Sequence, residues 1–219
     1  MSSAGPVHVR FFAAPADLAP FFSTIYRIDV DLPDGEVITD YLQPSWTNLR
    51  FHTGNPARML ASTSPTDGPA RFSVAGPSAS LSKYELGRAS VWGFGLFPQG
   101  WARFIGRVAS EYADDRFDGE RTEGFSHLSP LCDILCGDGS DVEDQFERAM
   151  RFFRECDDTS RDSDRIRAAQ EAMLDPHLLH VEDFAARVGV SKRTLERLCN
   201  RHFGFPPGSC CAANGSSAC

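Results

Sequence analysis

The chain has 219 residues, 42% of them apolar, with a formal net charge of −8. That is enough for one large domain or a medium domain with a small one, and enough apolar material for a buried core. No apolar run approaches the roughly 18 residues of a bilayer span, and the opening MSSAGPVHVRFF lacks the basic start and apolar stretch of a secretory signal, so a soluble cytoplasmic protein with no membrane partner is expected.

The first 98 residues read as short extended segments divided by turns. EVITDYLQ (36–43), TNLRFHT (47–53), ARFSVAG (70–76) and SVWGFGLF (90–97) are rich in β-branched and aromatic residues. LPDG, GNP, SPTDG and GPS between them carry turn chemistry. Strands at this spacing predict a small antiparallel sheet or barrel.

The period then changes. In GWARFIGRVASEYADD, Trp101, Phe104, Ile105, Val108 and Tyr112 share one face of a helix. A second helix opens with Ser140-x-x-Glu143, a capping box, and continues through Val142, Phe146, Met150 and Phe153 on one face. That stripe packs within its own domain or against the partner subunit of a homodimer, the first being favoured. The polar run CDDTSRDSD (156–164) marks a domain boundary, and a further helix through Ile166, Gln170, Met173 and Leu174 is stopped by Pro176.

Charge is uneven along this order. Residues 1–160 hold 14 basic and 23 acidic residues, whereas 187–203 hold five basic and one acidic. An acidic body with a locally basic segment points to a polyanion partner for that segment, or to a solvated helix face.

The basic segment belongs to VEDFAARVGVSKRTLERLCNRHFG (181–204). Val181, Phe184, Ala185 and Val188 have helical spacing, with Glu182 and Asp183 in the first turn, where the helix dipole favours acids. His180, at the N-cap, is a poor capping residue. Gly189 can take the left-handed conformation that ends a helix, and Val190 then points inward. Ser191 is a good N-cap for a second helix, which Gly204 terminates. On that second helix Leu195, Leu198, Cys199 and His202 share one face, and Arg193, Glu196, Arg197 and Asn200 the other. Small Ala185 lets the two helices cross closely. These are the parts of a helix-turn-helix; the competing reading is an ordinary αα-hairpin.

Phe184-Ala185-Ala186, Gly189-Val190-Ser191, Leu195, Arg197-Leu198 and His202-Phe203-Gly204, followed by Phe205-Pro206, together resemble the first helix-turn-helix of AraC/XylS-type transcriptional regulators. VWGFGLFPQGWARFIGRVASEYADD resembles the end of the sensor domain in a subgroup of them. The resemblance implies an α+β chain: an N-terminal sensor or oligomerisation domain (1–156) built on a small antiparallel sheet or barrel with helices, then an all-α partial DNA-binding domain (161–207). It implies a sequence-specific regulator whose partners are double-stranded DNA, RNA polymerase and an unidentified small-molecule effector. Arg193, Glu196 and Arg197 match positions facing base edges, and Lys192 and Arg201 suit phosphates. Phe184, Ala185, Gly189, Val190, Leu195 and Leu198 form the motif's core.

The pattern departs from the family after Pro207. Members continue into a linking helix and a second helix-turn-helix, whereas this sequence gives GSCCAANGSSAC (208–219), uncharged and without helical period. A frameshift or truncation is expected, with 208–219 an aberrant tail lacking regular structure, DNA binding impaired, and Phe203 and Phe205 left as an exposed apolar patch. The alternative function is a ligand-binding or dimerisation module without effective DNA binding.

No enzyme signature stands. G-x-S-x-G, the phosphate-loop pattern and H-E-x-x-H are all absent. His177-x-x-His180 has helical spacing for a metal but no third ligand nearby, which leaves a histidine-metal barrel enzyme as the weakest reading; no cofactor is expected. Cys132, Cys136, Cys156 and Cys199 read as small buried hydrophobes, and Trp46, Trp92 and Trp101 as aromatic core ahead of a ligand cavity.

Overall fold

The computed structural model describes residues 5–55, 58–59, 70–137, 141–157, 162–173, 175, 177–178 and 180–209. Among these residues nine strands come first, interrupted and then followed by helices. They are β1 (Val7–Phe12), β2 (Phe22–Val30), β3 (Ile38–Leu42), β4 (Asn48–Gly54), β5 (Arg58–Met59), β6 (Phe72–Ala75), β7 (Ser82–Leu86), β8 (Ala89–Leu96) and β9 (Arg116–Asp118). The helices are α1 (Pro98–Phe104), α2 (Pro130–Leu135), α3 (Val142–Glu155), α4 (Ser163–Met173), α5 (Val181–Val188) and α6 (Lys192–His202). The chain is therefore α+β, with N-terminal antiparallel sheets and a helical C-terminal region.

Strands β1-β2-β8-β4-β6-β9 form one antiparallel sheet in that order, and β3-β7-β5 form a second. Alternation along the strands divides the first sheet into two unlike faces. Ile25, Leu49, Phe51, Phe72, Val74, Trp92 and Phe94 lie on one face and are buried beneath α1, α2 and α3. Phe153 of α3 anchors this layer, with ring centroids 5.0 Å from Phe22, 4.9 Å from Phe104 and 5.5 Å from Phe94. Met150 is buried beside it and Phe146 stacks on Phe12 at 5.0 Å, so the α3 stripe packs within its own domain. Buried Gln145 bridges the layers: its Oε1 accepts from Trp92 Nε1 and from Arg27 Nη1, both at 2.9 Å. A buried amide needs such partners, because an unsatisfied one costs about 1–3 kcal/mol.

The four sequence-predicted strands are β3, β4, β6 and β8; β1, β2, β5, β7 and β9 add to them. The expected helix through Tyr112 is shorter. It ends at Phe104, where the Ile105 and Gly106 N–H groups both donate to Trp101 O, at 3.0 and 2.9 Å, and Gly106 turns to φ 69°. Ala109–Glu111 then forms a separate 3₁₀ turn. In α3, the N-cap is Asp141 with no side-chain capping bond, and Ser140 of the expected capping box lies outside the described residues. Leu174 and Pro176 are likewise outside them.

Trp92 and Trp101 are core residues, and Trp46 is half-buried. Cys132 and Cys199 are buried, whereas Cys136 and Cys156 are only half-buried.

Candidate nucleic-acid interface

One turn and one cap build the motif. His180 is the N-cap of helix α5 and makes no side-chain capping bond, and Glu182 and Asp183 lie in the helix's first turn. The helix ends at Gly189, φ 71° and ψ 33°, a left-handed backbone that glycine adopts without the Cβ clash other residues meet. Gly189 N–H donates to Ala186 O at 3.1 Å and Val190 N–H to Ala185 O at 3.0 Å, the paired bonds of a Schellman ending. Ser191 then caps α6: its Oγ accepts from the Thr194 N–H at 3.2 Å.

The inner faces of the two helices meet in a second core. Phe184 and Ala185 of α5 pack with Leu195, Leu198 and Cys199 of α6, with Ile166 and Ala169 of α4 beneath them. Val190 is half-buried at its edge. Phe184, Leu195 and Cys199 are wholly buried, so this packing fixes the angle at which α6 is presented.

The outer face is polar and open. Arg193, Glu196, Arg197 and Arg201 are exposed, and among the described residues none makes an ion pair or side-chain hydrogen bond. Lys192 is exposed too, but its Nζ is paired with the Glu182 carboxylate of α5, which depresses the Glu182 pKa. Arg187 at the end of α5 pairs with Asp175 at 2.5 Å. The sequence-derived site residues thus fall into two sets, three side chains projecting from one face of α6 and two cations flanking it.

Sequence reasoning missed how the motif is seated. The end of α6 docks on the sheet domain: Phe203 is wholly buried, with its ring centroid 5.9 Å from that of Trp46 at 76°. Gly204 lies so close to Pro77 that a Cβ there would come within 2.9 Å of the proline ring. Ala102 of α1 joins the same core. The expected exposed patch at Phe203 and Phe205 is therefore corrected, since Phe205 is half-buried against this core and Phe203 finds its cover in Trp46. Nor does regular structure stop at Gly208: residues 207–209 make a helical turn, with Ser209 N–H donating to Pro206 O at 3.0 Å. Residues 210–219, with Cys210, Cys211 and Cys219, lie outside the described residues.

Buried His202 lies under the end of α6, 6% exposed, with Nε2 3.8 Å from Asp162 Oδ2, too long for a hydrogen bond. Burial and the neighbouring Arg201 lower its pKa to about 4. His177 and His180 are exposed, and among the described residues no group of three or more metal-ligating side chains occurs. No helix is long and apolar enough to cross a membrane among the described residues.

No protein-family model and no curated protein matches the chain. Among solved structures it is similar to one described as the crystal structure of the AraC-like transcriptional activator CuxR, at 14% identity and a TM-score of 0.36, over 89% of this chain and 80% of that one.

Proposed function

We propose that this chain is a sequence-specific DNA-binding transcriptional regulator of the AraC/XylS type, reading duplex DNA with α6. The observation that carries this reading is the exposed row Arg193, Glu196 and Arg197, standing opposite the buried row Leu195, Leu198 and Cys199 on a helix capped by Ser191. A helix seated in this way offers side chains to base edges in a major groove. Arg197 reaches guanine O6 and N7 through its guanidinium fork, and Glu196 accepts from cytosine N4 or orients Arg197. Lys192 and Arg201 contact phosphates, which supply affinity and salt dependence without sequence information.

The first 156 residues are the sensor or oligomerisation part, and the chain acts as a homodimer so that two copies of α6 reach two half-sites. Binding of the full chain to a randomised duplex pool, followed by sequencing of the retained fraction, tests the reading. Enrichment of a defined sequence that Arg197→Ala no longer retains supports it; retention of no duplex at low salt overturns it.

A further inference from the structure

Helix α2 carries two cysteines one turn apart. Pro130 opens the helix, and its C-cap is Cys136, whose N–H donates to Cys132 O at 2.8 Å. That bond sets the two side chains on one face of the turn, because residues four apart on a helix are neighbours. They are unequally placed. Cys132 is 1% exposed and belongs to the aromatic core beneath the large sheet, whereas Cys136 packs against that core and is half-buried. Cys132 is a small buried hydrophobe, as its sequence setting suggests, and Cys136 is not.

The two thiols are hydrogen-bonded to each other, Cys132 as donor and Cys136 as acceptor. That bond, then burial, raises the Cys132 pKa; the same bond lowers that of Cys136, against burial. Arg71, just before β6, adds to the lowering at Cys136, and Glu120 and Asp133 oppose it. Arg71 Nη2 is itself held 2.8 Å from Glu120 Oε1. The more exposed sulfur is thus the one that carries charge first, and the thiolate is the nucleophilic form of cysteine. Cys156, at the end of α3, is the contrast. It is half-buried too, but its Sγ donates to Phe152 O at 3.5 Å, and burial raises its pKa.

The spacing suits a bond between the sulfurs. Four residues at about 1.5 Å rise put the two Cα atoms about 6 Å apart, inside the span of about 4.4–6.8 Å that disulfides bridge. The Cβ atoms must close from about 5–6 Å to about 3.5–4.5 Å. Cys136 is placed to make that movement, because its backbone, φ −107° and ψ 3°, has already left the helix.

We propose that Cys132 and Cys136 form a site of oxidation by hydroperoxides, Cys136 reacting first and Cys132 resolving the product into an intrachain disulfide. The Cys136 thiolate attacks the terminal peroxide oxygen. An S–O bond forms, the O–O bond breaks, and the leaving oxygen takes a proton and departs as water or an alcohol. Cys136 is then a sulfenic acid. The Cys132 sulfur gives up its proton and attacks the Cys136 sulfur; the S–S bond forms, the S–O bond breaks and water leaves. The two thiols lose two electrons, and the peroxide gains them. The site uses no residue of α6, so it stands or falls independently of DNA binding.

Hydrogen peroxide treatment of the reduced full chain, quenched with N-ethylmaleimide and mapped after trypsin digestion, tests the pair. Cleavage after Arg121 and Arg148 leaves Cys132 and Cys136, and no other cysteine, in peptide 122–148, while Cys156 falls in peptide 155–161. Peptide 122–148 should lose two hydrogens and take no maleimide, about ten-fold or more faster than Cys156 is oxidised. Cys132→Ser should stop at the sulfenic acid on Cys136, trapped by dimedone, and Cys136→Ser should leave Cys132 a thiol. Should a serine variant lose its far-ultraviolet dichroism, the alanine variant replaces it, and the parent's peptide map stands without either. A pair oxidised no faster than Cys156, a sulfinic acid accumulating on Cys136 in the parent, or a disulfide from Cys136 to any other cysteine overturns the proposal.

Discussion

The Phe203 ring, at the end of α6, stands edge-on to the Trp46 ring just before β4, with centroids 5.9 Å apart. A residue at the end of α6 is thereby covered by a residue beside the large sheet, and the C-terminal helices share one core with Trp46 and Ala102. Truncating Phe203 to Ala should cost about 3–5 kcal/mol in urea unfolding, the usual range for a buried aromatic. Trp46→Ala should cost less, since that ring is half-buried. The double mutant should reveal a coupling of about 0.5–1.5 kcal/mol for an edge-to-face pair; strictly additive effects would show that the rings do not meet.

The Ser191 cap gives a second expectation. Ser191→Ala removes the acceptor that serves Thr194 N–H and should destabilise the chain by about 0.5–2 kcal/mol, whereas Ser191→Gly should cost only a few tenths. Equilibrium unfolding of the two variants side by side separates loss of the cap from loss of a side chain.

Two buried histidines predict an acid-sensitive fold. His52 and His202 have folded-state pKa values near 4 against an ordinary 6.5, so between those values the unfolded chain binds more protons than the folded one. Their stability contribution is complete above about pH 6.5, falls as the pH drops through that window, and is flat below about pH 4. The loss is roughly 3 kcal/mol per histidine. His52 is set by burial and by Arg50; His202 by burial and Arg201, with Asp162 opposing. Carboxylates whose pKa is depressed, Asp17 by Arg154 and Glu182 by Lys192 among them, add their own loss at lower pH, below the ordinary carboxylate range. His202→Asn should flatten the slope between pH 6.5 and 4 by about half, read from unfolding midpoints at fixed ionic strength.

The Lys192–Glu182 pair predicts a gain of binding. Glu182→Gln releases the Lys192 ammonium and removes a negative charge beside α6, so affinity for any duplex should rise, by up to about five-fold if the surface pair is worth up to about 1 kcal/mol. Sequence preference should not change. An affinity that falls would show that Glu182 serves the interface by positioning Lys192.

The helix pair α5 and α6 with its Gly189 turn is the most legible part of the chain because its determinants are local. Gly189 supplies a left-handed turn, Ser191 a cap, and the three-and-four spacing of Leu195, Leu198 and Cys199 a buried face, all within a few residues of where they act. The helix through Tyr112 was over-read because apolar spacing continues past Gly106, while the backbone turns there. Strand β2 was missed although Thr24, Ile25, Tyr26, Ile28 and Val30 carry the β-branched and aromatic signal, because Arg27 and Asp29 interrupt the face that Gln145 later covers. The cover of Phe203 by Trp46 joins residues far apart in sequence, so no local pattern announces it.

Whether α6 reads duplex DNA is decided by the salt dependence of binding by the full chain, measured with Arg197→Ala and Lys192→Ala beside it. On a selected sequence, log K should fall with log salt at a slope of about −2 per chain for the two phosphate contacts, Lys192 and Arg201. Arg197→Ala should cost about 1–3 kcal/mol on that sequence and little on random duplex. Lys192→Ala should weaken both alike and reduce the slope by about one. Binding that ignores salt, or two variants that bind every duplex as the parent does, would contradict the assignment of α6 as the reading helix.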